Sequence, residues 1–267
     1  MCGIAGGIGP SAPSKLVLDN QLDSINHRGP DGQGTYVNQG IALGMCRLAI
    51  VEIAAGKQPA SDERESIHLV FNGEIYNYRE LRQELELSGI HCRDSSESEV
   101  IMNLYLKHGI GFINKLNGMF AIAINDSRDN SLHLIRDRMG KKPIWITQIQ
   151  DGSLFFASEV RALLPLRPDR TLRTEMVAEV MQYGYINSPN SAFNEISQVP
   201  PGSYLTWRNG GYEIAKYWEP DFDTKVSISY DEALSVTKEL IEKAVDRRLI
   251  SERPLGSFLS GGYDSTI

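Results

Sequence analysis

Short apolar runs, separated by polar turn residues, occupy most of the first two hundred residues. Most of these runs are bounded by glycine, asparagine, aspartate or serine, which is the pattern of buried β-strands. The strand candidates include IALGM at 41–45, IHLVFNG at 67–73, MFAIAIND at 119–126, SLHLIRD at 131–137 and SLFFAS at 153–158.

Two amphipathic segments lie between these strands. The first predicts a helix from about Asn77 to Ser88, with Leu81 and Leu85 on one face and Gly89 ending it. Strands and helices in mixed order, with a hairpin turn over 126–130, favour antiparallel sheets with helices outside them.

The second helical segment has a marked start. Ser96 followed by Glu99 has capping-box spacing, so we assign Glu99 to the cap and not to a ligand. The helix is expected to end before Gly109. Its apolar stripe comprises Val100, Ile101, Leu104 and Tyr105.

The composition changes towards the carboxyl end. A Pro-Pro-Gly run at 200–202 and the polar segment at 219–229 predict a linker. A long amphipathic helix is expected at 231–250, then an apolar strand at 255–259 and the turn SGGYDST at 260–266. Helix, strand and glycine-rich turn in this order are typical of the start of an α/β nucleotide domain.

Composition narrows the classes of function. The chain has 267 residues, 41% of them hydrophobic and 23% charged, and a net charge of -7, which argues against a nucleic-acid-coating surface. Cys2, Cys46 and Cys92 are odd in number and lack CxxC spacing, so neither a disulfide framework nor a structural zinc is expected. With no signal peptide and no spanning run, the sequence predicts a cytoplasmic protein without nucleic-acid or membrane partners.

Cys2, in the run MCGIAGG, is the first candidate for chemistry. Removal of Met1 would leave a thiol and a free α-amino group on one residue, and the amine could accept the thiol proton. The alternative is an ordinary small apolar residue that stands second by chance.

The terminal turn is a second candidate site. Its glycines allow close backbone approach to a phosphate, and its hydroxyls add donors, although the Walker GK[ST] ending is missing. Asp264 could bind magnesium beside such a phosphate. An ordinary Ser-Gly turn is the alternative. The groups concerned are Ser260, Gly261, Gly262, Ser265 and Thr266.

Together these segments resemble the glutamine-hydrolysing asparagine synthetases, whose amino-terminal half is a class II glutamine amidotransferase. The resemblance covers essentially the whole chain. The similar stretches are MCGIAGG at 1–7, HRGPDG at 27–32, CRLAIV at 46–51, FNGEIYNY at 71–78, SESEVI at 96–101, NGMFAIAI at 117–124, RDRMGKKP at 136–143, FASEVRALL at 156–164, PPGSYLTW at 200–207 and FLSGGYDS at 258–265.

The resemblance implies an α+β fold, the Ntn-hydrolase αββα sandwich, over residues 1–207. A linker at 208–229 and the truncated start of an α/β adenine-nucleotide domain with a pyrophosphate loop (PP-loop), at 230–267, would follow. The strand and helix pattern agrees with this fold but does not single it out.

By resemblance, Cys2 is the nucleophile that attacks the side-chain amide of glutamine, with its own α-amino group as base. Asn72 and Gly73 match an oxyanion-hole pair, for which a β-turn is the alternative. Arg47 matches the arginine that binds the α-carboxylate, for which a surface ion pair is the alternative. The backbone of Leu48, Ala49, Ile50 and Val51 would line the same pocket.

Two carboxylates complete the implied glutamine site. Glu74 matches a residue on that site, and Glu97 stands where the family usually has the aspartate that receives the substrate ammonium. The extra methylene of Glu97 could lower the affinity for glutamine. His27 could act as a base, but a loop role for His27, Arg28 and Asp31 is favoured because the nucleophile brings its own amine.

The resemblance also implies a second reaction, in which ATP and magnesium activate aspartate and ammonia completes asparagine. Because most of that site would come from residues outside this sequence, we expect the 267 residues alone at most to hydrolyse glutamine. A homodimer, or a separate chain with the missing part, is an expected partner. The residues implied for ATP are Phe258, Leu259, Ser260, Gly261, Gly262, Asp264 and Ser265.

Three interpretations stay open at this point. The first is the amidotransferase half of an asparagine synthetase, either truncated or split. The second delivers ammonia to another acceptor, such as a sugar or polysaccharide precursor. The third is a non-catalytic remnant that binds glutamine or a partner, against which the complete set Cys2, Arg47, Asn72 and Gly73 weighs.

Overall fold

The computed structural model describes residues 2–49 and 56–266, and only the backbone of Asp264 and Ser265. The predicted glutamine-site residues Ile50 and Val51 therefore lie outside the described residues. The helices are α1 Lys15–Ser24, α2 Tyr78–Leu87, α3 Glu97–His108, α4 Glu175–Tyr183, α5 Tyr230–Asp246 and α6 Tyr263–Thr266. The strands are β1 Gly3–Ile8, β2 Gly32–Asn38, β3 Ile41–Arg47, β4 Ala60–Ser61, β5 Ile67–Ile75, β6 Gly118–Asp126, β7 Ser131–Arg136, β8 Trp145–Gln148, β9 Leu154–Ala157, β10 Ser197–Gln198, β11 Ser203–Arg208 and β12 Gly211–Lys216.

The described strands form two antiparallel six-stranded sheets. The first sheet has the order β10-β8-β9-β1-β3-β2, and the second has the order β12-β11-β7-β6-β5-β4. In the first sheet, β1 pairs with β3 so that Gly3 lies opposite Cys46. The amino-terminal strand is therefore central, with β9 on its other side.

The main core lies between the two sheets. The apolar side chains of β1, β3 and β9 meet those of β5, β6 and β7 there, and Cys2 packs against their edge. Its members from the first sheet include Ile4, Leu43, Met45 and Phe156, and those from the second include Val70, Ala121, Ala123 and Leu134.

Helices cover the outer faces of both sheets. Leu18 and Leu22 of α1 pack against Ala42 and Cys46 on the outer side of the first sheet. On the other side, α3 packs on β5 and α2 packs on α3. The order of layers is helix, sheet, sheet, helix, which confirms the α+β class and the αββα prediction.

The predicted helices begin and end close to their sequence signals. Asn77 and Ser88 flank α2, and Ser96 is the N-cap of α3, where its side chain accepts a hydrogen bond from Glu99 N. The first compact unit runs to Pro220, whereas the sequence places the end of its first domain at Trp207. The difference is β12, which pairs with β11 across the Asn209-Gly210 turn, where both residues have positive φ.

Within the described residues, the second compact unit comprises Ala49 and residues 221–266. The predicted long helix is α5, which starts at the N-cap Ser229. The predicted strand at 255–259 is wrong, because this segment has no ladder partner within the described residues. A strand needs a neighbouring strand for its backbone hydrogen bonds, and apolar sequence alone does not supply one. Among the described helices, none is long and apolar enough to cross a membrane.

Candidate active site

Cys2 lies immediately before β1 and is half-buried against the core between the sheets. Leu48 N–H donates a hydrogen bond to its Sγ at 3.3 Å, and the thiol faces Leu48 O at 3.6 Å. Burial raises the pKa of the Cys2 thiol and Glu74 adds to this, while Leu48 N–H and Lys142 lower it. The thiol thus has one donor already placed for its thiolate form.

Arg28, in the HRG segment at 27–29, binds the backbone of Cys2. Arg28 Nε donates to the Cys2 carbonyl oxygen at 3.0 Å, and Arg28 Nη1 donates to Glu159 Oε1 at 3.0 Å. His27 Nε2 lies 2.9 Å from the same carboxylate oxygen. His27 therefore points to Glu159, as the loop role predicts, and Arg28 and Glu159 fix the position of Cys2.

The strand β5 supplies two hydrogen-bond donors of a different kind. Asn72 is 1% exposed, and its Nδ2 has no hydrogen-bond partner among the described residues. Gly73 lies opposite Phe120, and a Cβ there would lie 2.2 Å from Met119 O. Both residues are inside the strand, which excludes the β-turn alternative. An unpaired buried amide is costly, which makes Asn72 Nδ2 a candidate donor for a ligand.

Arg47 is the last residue of β3, opposite Gly32 of β2. A Cβ at Gly56 would lie 3.5 Å from Arg47 Nη2 and 3.6 Å from Ser96 Cβ. The guanidinium therefore reaches towards the start of α3. Leu48 follows Arg47 and contacts Cys2, so β3 connects the arginine to the thiol.

Glu97 is the first residue of α3, and its Oε1 accepts Ile75 N–H at 2.5 Å. This contact places the carboxylate at the end of β5, next to Glu74. Glu99 caps only in part: its N–H binds Ser96 Oγ at 3.2 Å, but its carboxylate binds Arg93. The capping box is therefore incomplete, because a guanidinium is a stronger partner for a carboxylate than a backbone amide.

Sequence reasoning assigned no role to Glu159 and Lys142. Glu159 holds Arg28 and His27, and Lys142 is buried within electrostatic range of Cys2 and Glu74. Glu159 lies in the stretch FASEVRALL and Lys142 in RDRMGKKP. The similarity of these stretches to the family is the sequence signal that could have pointed to them.

The predicted ATP residues lie in the second unit. Phe258 is 98% exposed, Gly261 has φ +80, and Gly262 N–H donates to Ser260 Oγ at 3.4 Å. The backbone amides and hydroxyls of this turn suit a phosphate chemically. The side chains of Asp264 and Ser265 lie outside the described residues. No group of three or more His, Cys, Asp or Glu in the described part of the chain could hold a metal ion.

Taken together, the first unit places a thiol, two candidate oxyanion donors, an arginine and two carboxylates around the start of β1 and the ends of β3 and β5. A nucleophile beside a donor pair suits attack on an acyl carbon. A cation and carboxylates close by suit a zwitterionic substrate.

Comparison with known proteins agrees with this chemistry. Residues 1–218 match the glutamine amidotransferase domain family, and residues 237–267 match the asparagine synthase family. Asparagine synthetase [glutamine-hydrolyzing] 1 of Bacillus subtilis is 34% identical over 272 residues, covering 100% of this chain and 43% of that protein. The corresponding Arabidopsis thaliana protein 1 is 33% identical, with 100% and 41% covered. The chain thus spans less than half the length of these curated relatives.

A solved structure has the same fold over most of the chain. It is the glutamine phosphoribosylpyrophosphate amidotransferase of B. subtilis, with a TM-score of 0.62 and 20% identity, covering 82% of this chain and 50% of that one. At this identity the likeness concerns the fold alone, an Ntn-type sandwich.

Proposed function

Because the chain belongs to the glutamine amidotransferase domain family over residues 1–218, we propose that it hydrolyses glutamine to glutamate and ammonia at Cys2. The observation that carries the proposal is the buried Asn72 Nδ2, which lacks a partner among the described residues although the fold holds it rigidly in β5. Such an amide can donate a hydrogen bond to an oxyanion that forms beside it.

The reaction starts after Met1 is removed. The α-amino group of Cys2 takes the thiol proton, through a water, and the thiolate attacks the side-chain carbonyl of glutamine. The carbonyl oxygen becomes negative and is stabilised by Asn72 Nδ2 and Gly73 N–H. The tetrahedral species collapses to a glutamyl thioester, and the same proton goes to the departing nitrogen, which leaves as ammonia. Water then cleaves the thioester, which releases glutamate and restores the thiol.

The ends of glutamine are bound by opposite charges. Arg47 receives the α-carboxylate, for which a planar guanidinium is suited. Glu97, with Glu74 beside it, receives the α-ammonium. The backbone of Leu48 is assigned to the substrate pocket, and the resemblance assigns the same role to Ala49, Ile50 and Val51.

The fate of ammonia is proposed from the relatives, which are asparagine synthetases. We assign aspartate, activated with ATP and magnesium, as the acceptor. Ser260, Gly261 and Gly262 would donate hydrogen bonds to the phosphates of ATP. ATP would supply the activation of the aspartate carboxylate. Free thiols at Cys2, Cys46 and Cys92 support a cytoplasmic enzyme, since thiols stay reduced there.

Replacement of Asn72 by alanine tests the proposal. We expect kcat for glutamine hydrolysis to fall about 100 to 1,000-fold, with KM within about threefold, because the lost donor acts on the oxyanion and not on the bound substrate. Steady-state glutamate release by the purified 267-residue chain measures this.

Asn125→Ala is the matched control. Asn125 is also buried, but it lies near the end of β6, four residues beyond the Ala121 that pairs with Asn72, and it donates to Ser131 O. The folded control should keep its kcat within about threefold. An Asn72→Ala protein that turns over glutamine at the wild-type rate would refute the proposal.

A further inference from the structure

A short loop at 137–142 follows β7 at the active-site end of the second sheet. The register aligns Asn72 with Ala121, and Ala121 with Arg136. The loop therefore begins two strands away from the oxyanion donors and at their level. This placement follows from the backbone pairing alone.

The carboxylate of Asp137 fixes this loop from inside. Its Oδ1 accepts the backbone N–H groups of Met139 and Lys141, at 3.1 and 3.0 Å. Its Oδ2 accepts those of Lys142 and Phe120, at 2.9 and 3.2 Å. Four backbone amides thus occupy the carboxylate, which is 1% exposed.

The buried guanidinium of Arg136 holds the other side. It donates to the carbonyl oxygens of Lys142 at 3.2 Å, Gly140 at 2.8 Å and Val199 at 2.7 Å. Two buried charged side chains, Arg136 and Asp137, therefore hold this one short loop. This rigidity fixes the backbone of Lys142 from both sides.

Lys142 itself is 4% exposed, whereas its neighbour Lys141 is exposed. Among the described residues its ammonium has neither a hydrogen bond nor an ion pair. A lysine whose side chain is buried and whose ammonium has no partner is unusual, and charged groups of this kind are found more often at functional sites than at structural ones. Cys2 and Glu74 are the reacting group and the site carboxylate that lie within its electrostatic range.

The surrounding charges agree with this placement. Burial lowers the pKa of Lys142, Arg28 lowers it as well, and Glu74, Cys2 and Asp137 act in the opposite direction. Burial raises the pKa of the Cys2 thiol and Glu74 adds to this, while Leu48 N–H and Lys142 lower it. Cys46, on β3, also interacts electrostatically with Cys2, which acts to raise the pKa of Cys46.

We propose that Lys142, in its protonated form, is the electrostatic partner of the Cys2 thiolate, an inference that rests on glutamine hydrolysis at Cys2. It makes and breaks no bond. When the α-amino group takes the thiol proton, the ammonium of Lys142 offsets the new negative charge on sulfur in a site that excludes much of the water. It therefore raises the fraction of reactive thiolate.

Three variants of the mature chain test the proposal: Lys142→Met, which removes the charge at similar length, Lys142→Arg, which keeps it, and Lys141→Met, which removes the exposed charge next to it. The first readout is the pH dependence of alkylation of Cys2 by iodoacetamide, followed by peptide mass spectrometry. The second is kcat and KM for glutamine.

For Lys142→Met we expect the alkylation midpoint to rise by about one pH unit and kcat to fall about tenfold, with KM within about twofold. Lys142→Arg should restore kcat to within about threefold, and Lys141→Met should match the wild type. Lys142→Gln, also neutral, replaces Lys142→Met if the latter fails to fold.

An unchanged alkylation profile in the neutral variants would overturn the inference, and so would a Lys142→Arg protein as defective as Lys142→Met. The alkylation profile needs no turnover. A wild-type chain that hydrolyses no glutamine would therefore refute the proposed function, while the profile would still decide whether Lys142 acts on Cys2.

Discussion

At the scale of single residues, Cys2 is held by contacts that leave its thiol available. Leu48 N–H binds the sulfur and Arg28 binds the carbonyl oxygen, so the side chain and the backbone are fixed separately. By contrast, Cys46 is fully buried, donates to Leu22 O, and has its pKa raised by burial to about 11. The thiol of Cys46 is thus buried and used as a donor, whereas the sulfur of Cys2 receives a hydrogen bond from Leu48 N–H.

Glu97 gives a prediction at this scale. Its longer stem lets Oε1 bind Ile75 N–H, a contact that competes with the substrate ammonium for the carboxylate. We expect Glu97→Asp to lower KM for glutamine about threefold, with kcat unchanged, because a shorter stem frees the carboxylate for the ammonium. Glutaminase kinetics at constant pH measure it.

Glu99→Asp is the matched control, because Glu99 is a carboxylate of the same helical turn that binds Arg93 instead. Its KM should stay at the wild-type value. A Glu97→Asp enzyme with unchanged or higher KM would contradict the assigned role of Glu97.

The sequence predicted these candidate residues because they stand in short ordered stretches, such as FNGEIYNY and CRLAIV, and their roles stay predictions. It missed Glu159 for a physical reason. The ion pair between Arg28 and Glu159 joins residues far apart in the chain, and neither residue has a local pattern that reveals its partner. Lys142 was missed because burial of one of two adjacent lysines has no sequence signature.

At the scale of elements, α3 is joined to the second sheet by a buried polar contact. Asp126, at the end of β6, is 3% exposed and accepts Tyr105 O–H of α3 at 2.9 Å. Arg128 donates to the same carboxylate through Nε at 2.8 Å and Nη2 at 2.6 Å. Burial acts to raise the pKa of Asp126, but these hydrogen bonds outweigh it, and the pKa is lowered.

The lowered pKa of Asp126 makes the free energy of unfolding depend on pH. A carboxyl group whose pKa is lower in the folded state stabilises the fold above its unfolded pKa, about 3.9, and the contribution is lost as pH falls through the folded value. We expect Asp126→Asn to lower the free energy of unfolding by about 1–3 kcal/mol at pH 7, and the difference from wild type to narrow below about pH 4. Urea unfolding at several pH values measures it.

Asp129→Asn serves as control, because Asp129 is an exposed carboxylate paired with Arg208. It should change the free energy of unfolding by less than about 1 kcal/mol. A difference for Asp126→Asn that stays constant from pH 7 to pH 3 would contradict this account.

Elements with strong local signals were predicted well, and those that depend on distant partners were not. The caps Ser96 and Gly109 bound α3 as expected, since capping is a local interaction. The segment 255–259 has the composition of a strand but no neighbouring strand among the described residues. Hydrogen-bonding partners, not composition, decide such cases.

At the scale of the whole molecule, the two-sheet sandwich explains how the site residues, which are spread along the chain from Cys2 to Glu97, come close together. Cys2 lies immediately before β1 and Arg47 ends β3 in one sheet, and β5 carries Asn72 and Gly73 in the other. The core between the sheets brings these ends together. Alternating patterns predicted strands and helices but not which sheet each strand joins, because sheet membership depends on long-range pairing.

The central claim is that an amino-terminal Cys2 is the nucleophile. The most direct test is peptide mass spectrometry of the active protein after reaction with a glutamine analogue that carries an alkylating diazoketone. The account predicts an amino-terminal peptide that begins at Cys2, without Met1, and bears one adduct on that cysteine, with loss of glutaminase activity in proportion to labelling. Full activity with Met1 still attached, or inactivation with the adduct on another residue, would contradict it.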